Sequence, residues 1–221
     1  MMQHKKYRMK VLSSTNILKE IVAKAYKVVE KELQTDTNKR FHSLEHTLKV
    51  ANTCIYLAKE LDAFVDVVVL AAIFHDIGRP IESKTGRCHA EIGAERAKLF
   101  LSQEGLTELI DDVCEAIKVH RFSKGIEPVT LEAKILQDAD ALDALGSYGL
   151  FRTLGYSFEK GRDLEESIEH FHDKLFKLSS RMHFSITRSM AEEREKILHD
   201  FVNGINKDKN NAELNQLINQ L

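Results

Sequence analysis

The chain has 221 residues, 43% of them hydrophobic and 30% charged, enough apolar material for a real core in one large domain or two small ones. Lys and Arg number 32 against 34 Asp and Glu, a net charge of −2, which argues against a broad basic face for nucleic acid. No apolar run approaches the roughly 20 residues of a membrane span, and none follows the basic opening Met1–Lys10 as a secretory signal requires. Cys54, Cys88 and Cys114 are too widely spaced for a zinc ribbon and too few for a disulfide framework, so the expected setting is reducing and cytoplasmic.

Apolar residues recur at three- and four-residue steps almost throughout, and only 2 prolines interrupt them, so an all-α chain is predicted. Ile17, Ile21, Val28 and Leu33 predict a first helix. Leu44, Leu48, Ala51, Ile55, Ala58 and Leu61 predict a second, with Ser43 as its N-cap. The run Val65–Ile77 reads as a buried helix stopped at Gly78, after which Arg79-Pro80 predicts an extended exit. Ile92, Leu99 and Phe100 mark a helix closed by Gly105, and Leu109, Val113, Ala116 and Ile117 one ending near His120. Thr130 caps a helix that carries Ile135, Leu136, Ala139, Leu142 and Leu145 and stops at Gly146. Further helices are predicted around Leu150, over Leu164–Leu178 and Ser189–Phe201, and over Ala212–Leu221 after a polar linker, Asn203–Asn211. One helical domain over residues 1–205 and a C-terminal helix within 206–221 are expected.

The segment Ile73-Phe74-His75-Asp76-Ile77-Gly78 is the strongest chemical feature. It puts a carboxylate inside an apolar run, and an unpaired buried carboxylate costs several kcal/mol, so Asp76 needs a cation or an equivalent partner. Asp140 repeats the pattern four residues after Leu136, on the same helix face. His46 stands near the apolar stripe of its helix, His89 starts one, and His120 ends one seven residues after Val113. Imidazole and carboxylate without thiolate suit divalent Mn, Fe, Co, Ni, Zn or Mg.

The order His46, His75-Asp76, Asp140 resembles the H…HD…D signature of the HD-domain superfamily of metal-dependent phosphohydrolases. The phrases His75-Asp76-Ile77-Gly78-Arg79-Pro80, Val119-His120-Arg121-Phe122-Ser123 and Glu132-Ala133-Lys134-Ile135-Leu136-Gln137-Asp138-Ala139-Asp140 look like a poorly characterised bacterial branch of it. The likeness covers about residues 41–190. It implies a helical bundle with His46, His75, Asp76 and Asp140 around one metal ion. His89 and His120 fall where some members place ligands of a second ion bridged by Asp76; with one ion, the same pair would contact phosphate or protonate the leaving group. Arg79 stands where HD nucleotidases and guanosine-tetraphosphate hydrolases often carry an acid, and the Gly-Tyr-Pro element of the cyclic-dinucleotide branch is missing after His120, so the resemblance passes on neither of these substrates.

The expected activity is hydrolysis of a phosphate ester or anhydride of a small molecule such as a nucleotide, as a phosphomonoesterase or phosphodiesterase. Asp76, Arg79, His120 and Asp143 are the candidate catalytic residues. Arg79, His89, His120, Arg121 and Lys174 are the candidate substrate contacts, with Arg152 and Arg188 behind them. A non-catalytic sensor that binds a nucleotide or a metal is the alternative. Cys54 and Cys114 are expected in the core.

Overall fold

The computed structural model describes residues 15–35, 44–211 and 214–221; the N-cap expected at Ser43 lies outside them. Among the described residues every regular element is a helix, as the periodicity predicts, and no helix is long and apolar enough to cross a membrane. Two compact units divide the chain after Asp140.

The first unit is built around its most apolar helix. Here α1 (Thr15–Leu33) and α2 (Leu44–Glu60) precede α3 (Val65–Phe74), which is followed by α4 (Arg79–Thr85), α5 (His89–Gln103) and α6 (Ile110–Val119). All eight residues from Val67 to Phe74 are buried, because α1, α2, α5 and α6 all pack on α3. Each large one contributes about 1.5–3 kcal/mol when fully buried. The start of α3 is tied to the next helix, α7 (Leu131–Asp143): the Phe64 backbone N–H donates to Glu132 Oε1 at 3.1 Å. Thr130 caps α7 as expected, accepting from the Ala133 N–H at 3.2 Å.

The faces of the first two helices are rotated from the predicted ones. In α1 the buried stripe is Ile21, Ala25, Val29 and Leu33, while Ile17 and Val28 are exposed. In α2 it is His46, Thr47, Val50, Ala51, Cys54, Leu57 and Ala58, and Leu48 faces outward. Small and polar residues occupy the inner face because α2 meets both the core and the site, so hydropathy alone misplaces it.

The exit from α3 also differs from expectation. The helix stops at Phe74, His75–Gly78 form a turn, and Arg79 begins α4 with Pro80 in its first turn instead of an extended segment. Proline is compatible with a first helical turn because the N–H it lacks has no intrahelical partner there. Gly78 has φ −78°, so it is not a left-handed cap. Its role is close approach: a Cβ there would lie 2.5 Å from the His89 carbonyl oxygen and 2.8 Å from Ile92 Cβ. At Gly93 a Cβ would lie 2.8 Å from the Phe74 carbonyl oxygen. These two glycines let α5 lie directly against the turn that carries His75 and Asp76. Gly78→Ala is expected to destabilise the fold by about 1–3 kcal/mol, because backbone on the other side cannot yield cheaply. Thermal melts followed by circular dichroism check this; an unchanged midpoint would mean that the two segments separate without penalty.

The second unit contains α8 (Gly146–Glu159), α9 (Leu164–Asp173), α10 (Ser185–Asn211) and α11 (Leu214–Ile218). A reciprocal cap between Asp163 and Glu166 starts α9. The helix expected over Leu164–Leu178 breaks after Asp173 into two 3₁₀ turns, Leu175–Lys177 and Ser179–Arg181. Asn203–Asn211, expected as a linker, is the last part of α10. Asn203, Asn206, Lys207, Asp208 and Asn210 are exposed on this helix, and no proline stops the chain before Asn211.

Candidate metal centre

Five helices and one turn bring His and Asp side chains to one place. His46 comes from the first turn of α2, and His75 caps the C-terminus of α3. Asp76 follows in the turn, Asp140 lies on α7, His89 opens α5 and His120 caps α6. His75, His89 and His120 are at most 1% exposed, and Asp76 is 3% exposed.

The ligand atoms form two groups of three, His46 with His75 and Asp140, and Asp76 with His89 and His120. In the first, His46 Nε2 lies 3.2 Å from His75 Nε2 and 3.3 Å from Asp140 Oδ1. In the second, His89 Nε2 lies 3.4 Å from His120 Nε2 and 3.2 Å from Asp76 Oδ1. Two atoms each about 2.1 Å from a shared ion stand roughly 3.0 to 3.4 Å apart at octahedral to tetrahedral angles, so two edges of each group match a coordination shell, while His75–Asp140 at 3.9 Å and His120–Asp76 at 3.8 Å are wider. Asp76 belongs to both: Oδ2 lies 3.6 Å from His46 Nε2, while Oδ1 faces His89 and His120.

Helix geometry decides which ring nitrogens can bind a cation. His75 and His120 sit at helix C-termini, where the last carbonyls lack intrahelical partners. His75 Nδ1–H donates to the Ala72 carbonyl at 2.6 Å, and His120 Nδ1–H to the Ile117 carbonyl at 2.6 Å. His89 Nδ1–H donates to Glu82 Oε2 at 2.6 Å. Carbonyl and carboxylate oxygens only accept, so these three rings carry their proton on Nδ1 and turn an Nε2 lone pair inward. His89 and His120 thus point two lone pairs at each other and at a carboxylate oxygen, an arrangement that a cation between them would satisfy.

The electrostatics agree. Burial lowers the His89 pKa to about 4, with Arg79 adding to the effect, and lowers His120 to about 3, with His75 adding. Both therefore stay in the neutral, ligating form. Burial pushes the Asp140 carboxyl up, but the hydrogen bond from His46 and the electrostatic pull of the His46, His75 and His120 rings outweigh it and hold it well below the usual range. Arg79 Nε donates to Asp76 Oδ1 at 2.9 Å, and burial opposes its charge, but Asp76, Asp140 and Glu82 keep it protonated. Burial likewise pushes Glu82 up, and its bonds with His89 and the charge of Arg79 bring it below its usual value.

The six expected ligands and Arg79 therefore meet. Arg121 stands beside them through Glu82, its Nη1 donating to Oε1 at 3.2 Å and to Cys88 Sγ at 3.4 Å. Asp143 and Lys174 belong to the second unit, where Asp143 is ion-paired with Arg152 and Lys174 follows α9. Arg188 donates to the Met182 carbonyl at 3.1 Å, and Cys54 and Cys114 are buried core residues as expected. Sequence reasoning missed Glu82, and it missed Gln137, whose Nε2 donates to the Val119 carbonyl at 3.0 Å beside His120.

Residues 43–145 match the HD domain family. The uncharacterized protein YpgQ of Bacillus subtilis is 28% identical over 172 residues, 76% of this chain and 84% of that protein. The crystal structure of YpgQ in complex with ADP superposes with a TM-score of 0.70 at 26% identity, covering 86% of this chain and 96% of that one. An HD-superfamily hydrolase of Bacillus thuringiensis superposes with a TM-score of 0.70 at 26% identity, covering 89% of this chain and 100% of that one. Ribonuclease Y of Syntrophomonas wolfei is 30% identical over 128 residues, 58% of this chain but 23% of that protein, so the chain spans less than a quarter of its length. With a helical fold, a paired His/Asp centre and these relatives in agreement, the chain belongs to the HD-domain superfamily.

Proposed function

We propose that the protein is a metal-dependent phosphohydrolase that cleaves a phosphate ester or anhydride of a small molecule, a nucleotide being the class favoured. The carrying observation is the pair of inward Nε2 lone pairs of His89 and His120 facing Asp76 Oδ1, a donor set of the kind that holds a divalent cation. It supports two ions, one among His46, His75 and Asp140, the other between His89 and His120, with Asp76 shared. The absence of thiolate among these six residues favours Mn, Fe, Co, Ni, Mg or Zn held as at a hydrolytic site. Such ions lower the pKa of bound water and neutralise charge on a phosphoryl oxygen.

The chain's own residues supply the rest. Arg79 and Arg121 stand beside the ligands as fixed cations, and a planar guanidinium matches two phosphate oxygens at once. Phosphoryl transfer needs mainly positioning and charge stabilisation, which this arrangement offers before substrate arrives. Asp143 and Lys174 are kept as further candidates for proton acceptance and phosphate contact. The ADP complex of YpgQ is the support for a nucleotide.

The test is elemental analysis of freshly purified protein, paired with a panel of nucleotides and other phosphoesters in Mn, Co, Ni, Mg and Zn. Phosphate release that follows the metal supports the reading. Nucleotide binding in the presence of metal, with no turnover across the panel, would replace it with the sensor.

A further inference from the structure

Glu82 is not among the ligands, yet three residues of the site converge on it. Oε2 lies 2.6 Å from His89 Nδ1 and 3.7 Å from Arg79 Nη1. Oε1 accepts from Arg121 Nη1 at 3.2 Å and from the His89 backbone N–H at 3.3 Å.

The reason lies in where His89 stands on its helix. His75 and His120 end their helices and find a spare carbonyl three residues back. His89 is the first residue of α5, where the helix presents spare N–H groups and no carbonyl. An outside acceptor must therefore fix its ring, and Cys88 at the N-cap makes no side-chain cap bond. A carboxylate suits the task because it can accept at both oxygens at once. One oxygen takes the ring Nδ1–H, the other the backbone N–H of the same residue, and both keep capacity for an arginine.

We propose that Glu82 is the positioning residue of the second half-site, fixing the His89 ring with Nε2 toward Asp76 and holding Arg121 at the edge of the same site. The role rests on the two-ion reading above. A glutamine cannot replace it. With one acceptor oxygen, its amide must turn an NH₂ toward the imidazole or toward Arg121. The first choice forces His89 Nδ1 to accept and leaves the proton on Nε2, where the ion should bind; the second turns away the arginine.

The experiment uses the full chain, stripped by chelation and titrated with Mn²⁺ by calorimetry and elemental analysis. Wild type is expected to hold two ions per chain. Glu82→Gln is expected to hold one ion as wild type does and the other about 10- to 100-fold more weakly, the usual effect of losing a group that orients a ligand. His89→Ala should show the same selective loss. Long-range ¹H–¹⁵N spectra of the metal-free wild type need no variant: the His89 proton is expected on Nδ1, and a proton on Nε2 overturns the proposal. Two ions held as tightly by Glu82→Gln as by wild type overturn the role of Glu82 and leave the two-ion reading standing. A wild-type chain that holds a single ion overturns both.

Discussion

Asp76→Ala is expected to lower metal-dependent phosphoester hydrolysis by at least about a thousandfold, since loss of one charge-stabilising group at a reacting centre already costs a hundred- to a thousandfold. The variant should also bind fewer ions, because its two oxygens face separate pairs of histidines. No single replacement of His46, His89 or His120 should be as severe, as each belongs to one group only. Initial rates in Mn²⁺, compared with metal content measured on the same sample, check both parts. Circular dichroism controls for folding, which matters because Arg79 loses its partner at 2.9 Å. Full activity in a folded Asp76→Ala protein would remove this centre from the chemistry.

Removing the metal is expected to have the largest effect on stability. Six ligands drawn from distant parts of the chain exist together only in the folded state, so each ion stabilises by mass action. At a thousandfold excess over its dissociation constant, one ion contributes about 4 kcal/mol. For a chain of this size that corresponds to a fall in melting temperature of roughly 10 °C per ion on chelation. The stripped protein should also become acid-sensitive in a defined window. Free histidine titrates at 6.5, whereas His89 stays neutral to about 4 and His120 to about 3. Between pH 6.5 and 4 the unfolded chain binds protons that the folded chain refuses, so stability falls as pH falls. The limiting slope is about 1.4 kcal/mol per pH unit for each histidine, and between pH 6.5 and 5.5, where the unfolded histidines are still titrating, the pair loses roughly 2 kcal/mol. The low carboxyl of Asp140 acts in the same sense but only as pH drops toward and below its ordinary 3.8. Denaturant melts of the chelated protein at pH 7.5, 6.5 and 5.5 measure this. No loss of stability between 6.5 and 5.5 would mean that the histidines are charged in the folded chain.

Much of this centre was legible because chemistry interrupts hydropathy in the ligand segments. His75-Asp76 ends an apolar helix, and Asp140 shares a face with Leu136, which is fully buried. Such residues reveal themselves by sitting where a leucine would serve folding better. Glu82 gives no such signal. It lies on a short polar helix, and its role arises only when the chain turns at Gly86 and brings His89 back against it. The face of α2 was misread for a related reason: Thr47, Val50 and Cys54 form its inner stripe, while the more hydrophobic Leu48 is 40% exposed. The end of α10 was misread because a polar run without proline can be a solvated helix or a linker, and composition does not separate the two. Arg79-Pro80 misled through a local preference that a new helix start overrides.

The enclosure of α3 on every side has a kinetic counterpart. Helices α1, α2, α5 and α6 all lean on it, so its amides have no local route to solvent. Their exchange for deuterium requires the whole unit to open, and residues 67–74 thus act as a built-in gauge of global unfolding. The centre begins at the very next residue, His75, so a bound ion should slow that opening and be visible as added protection along the helix.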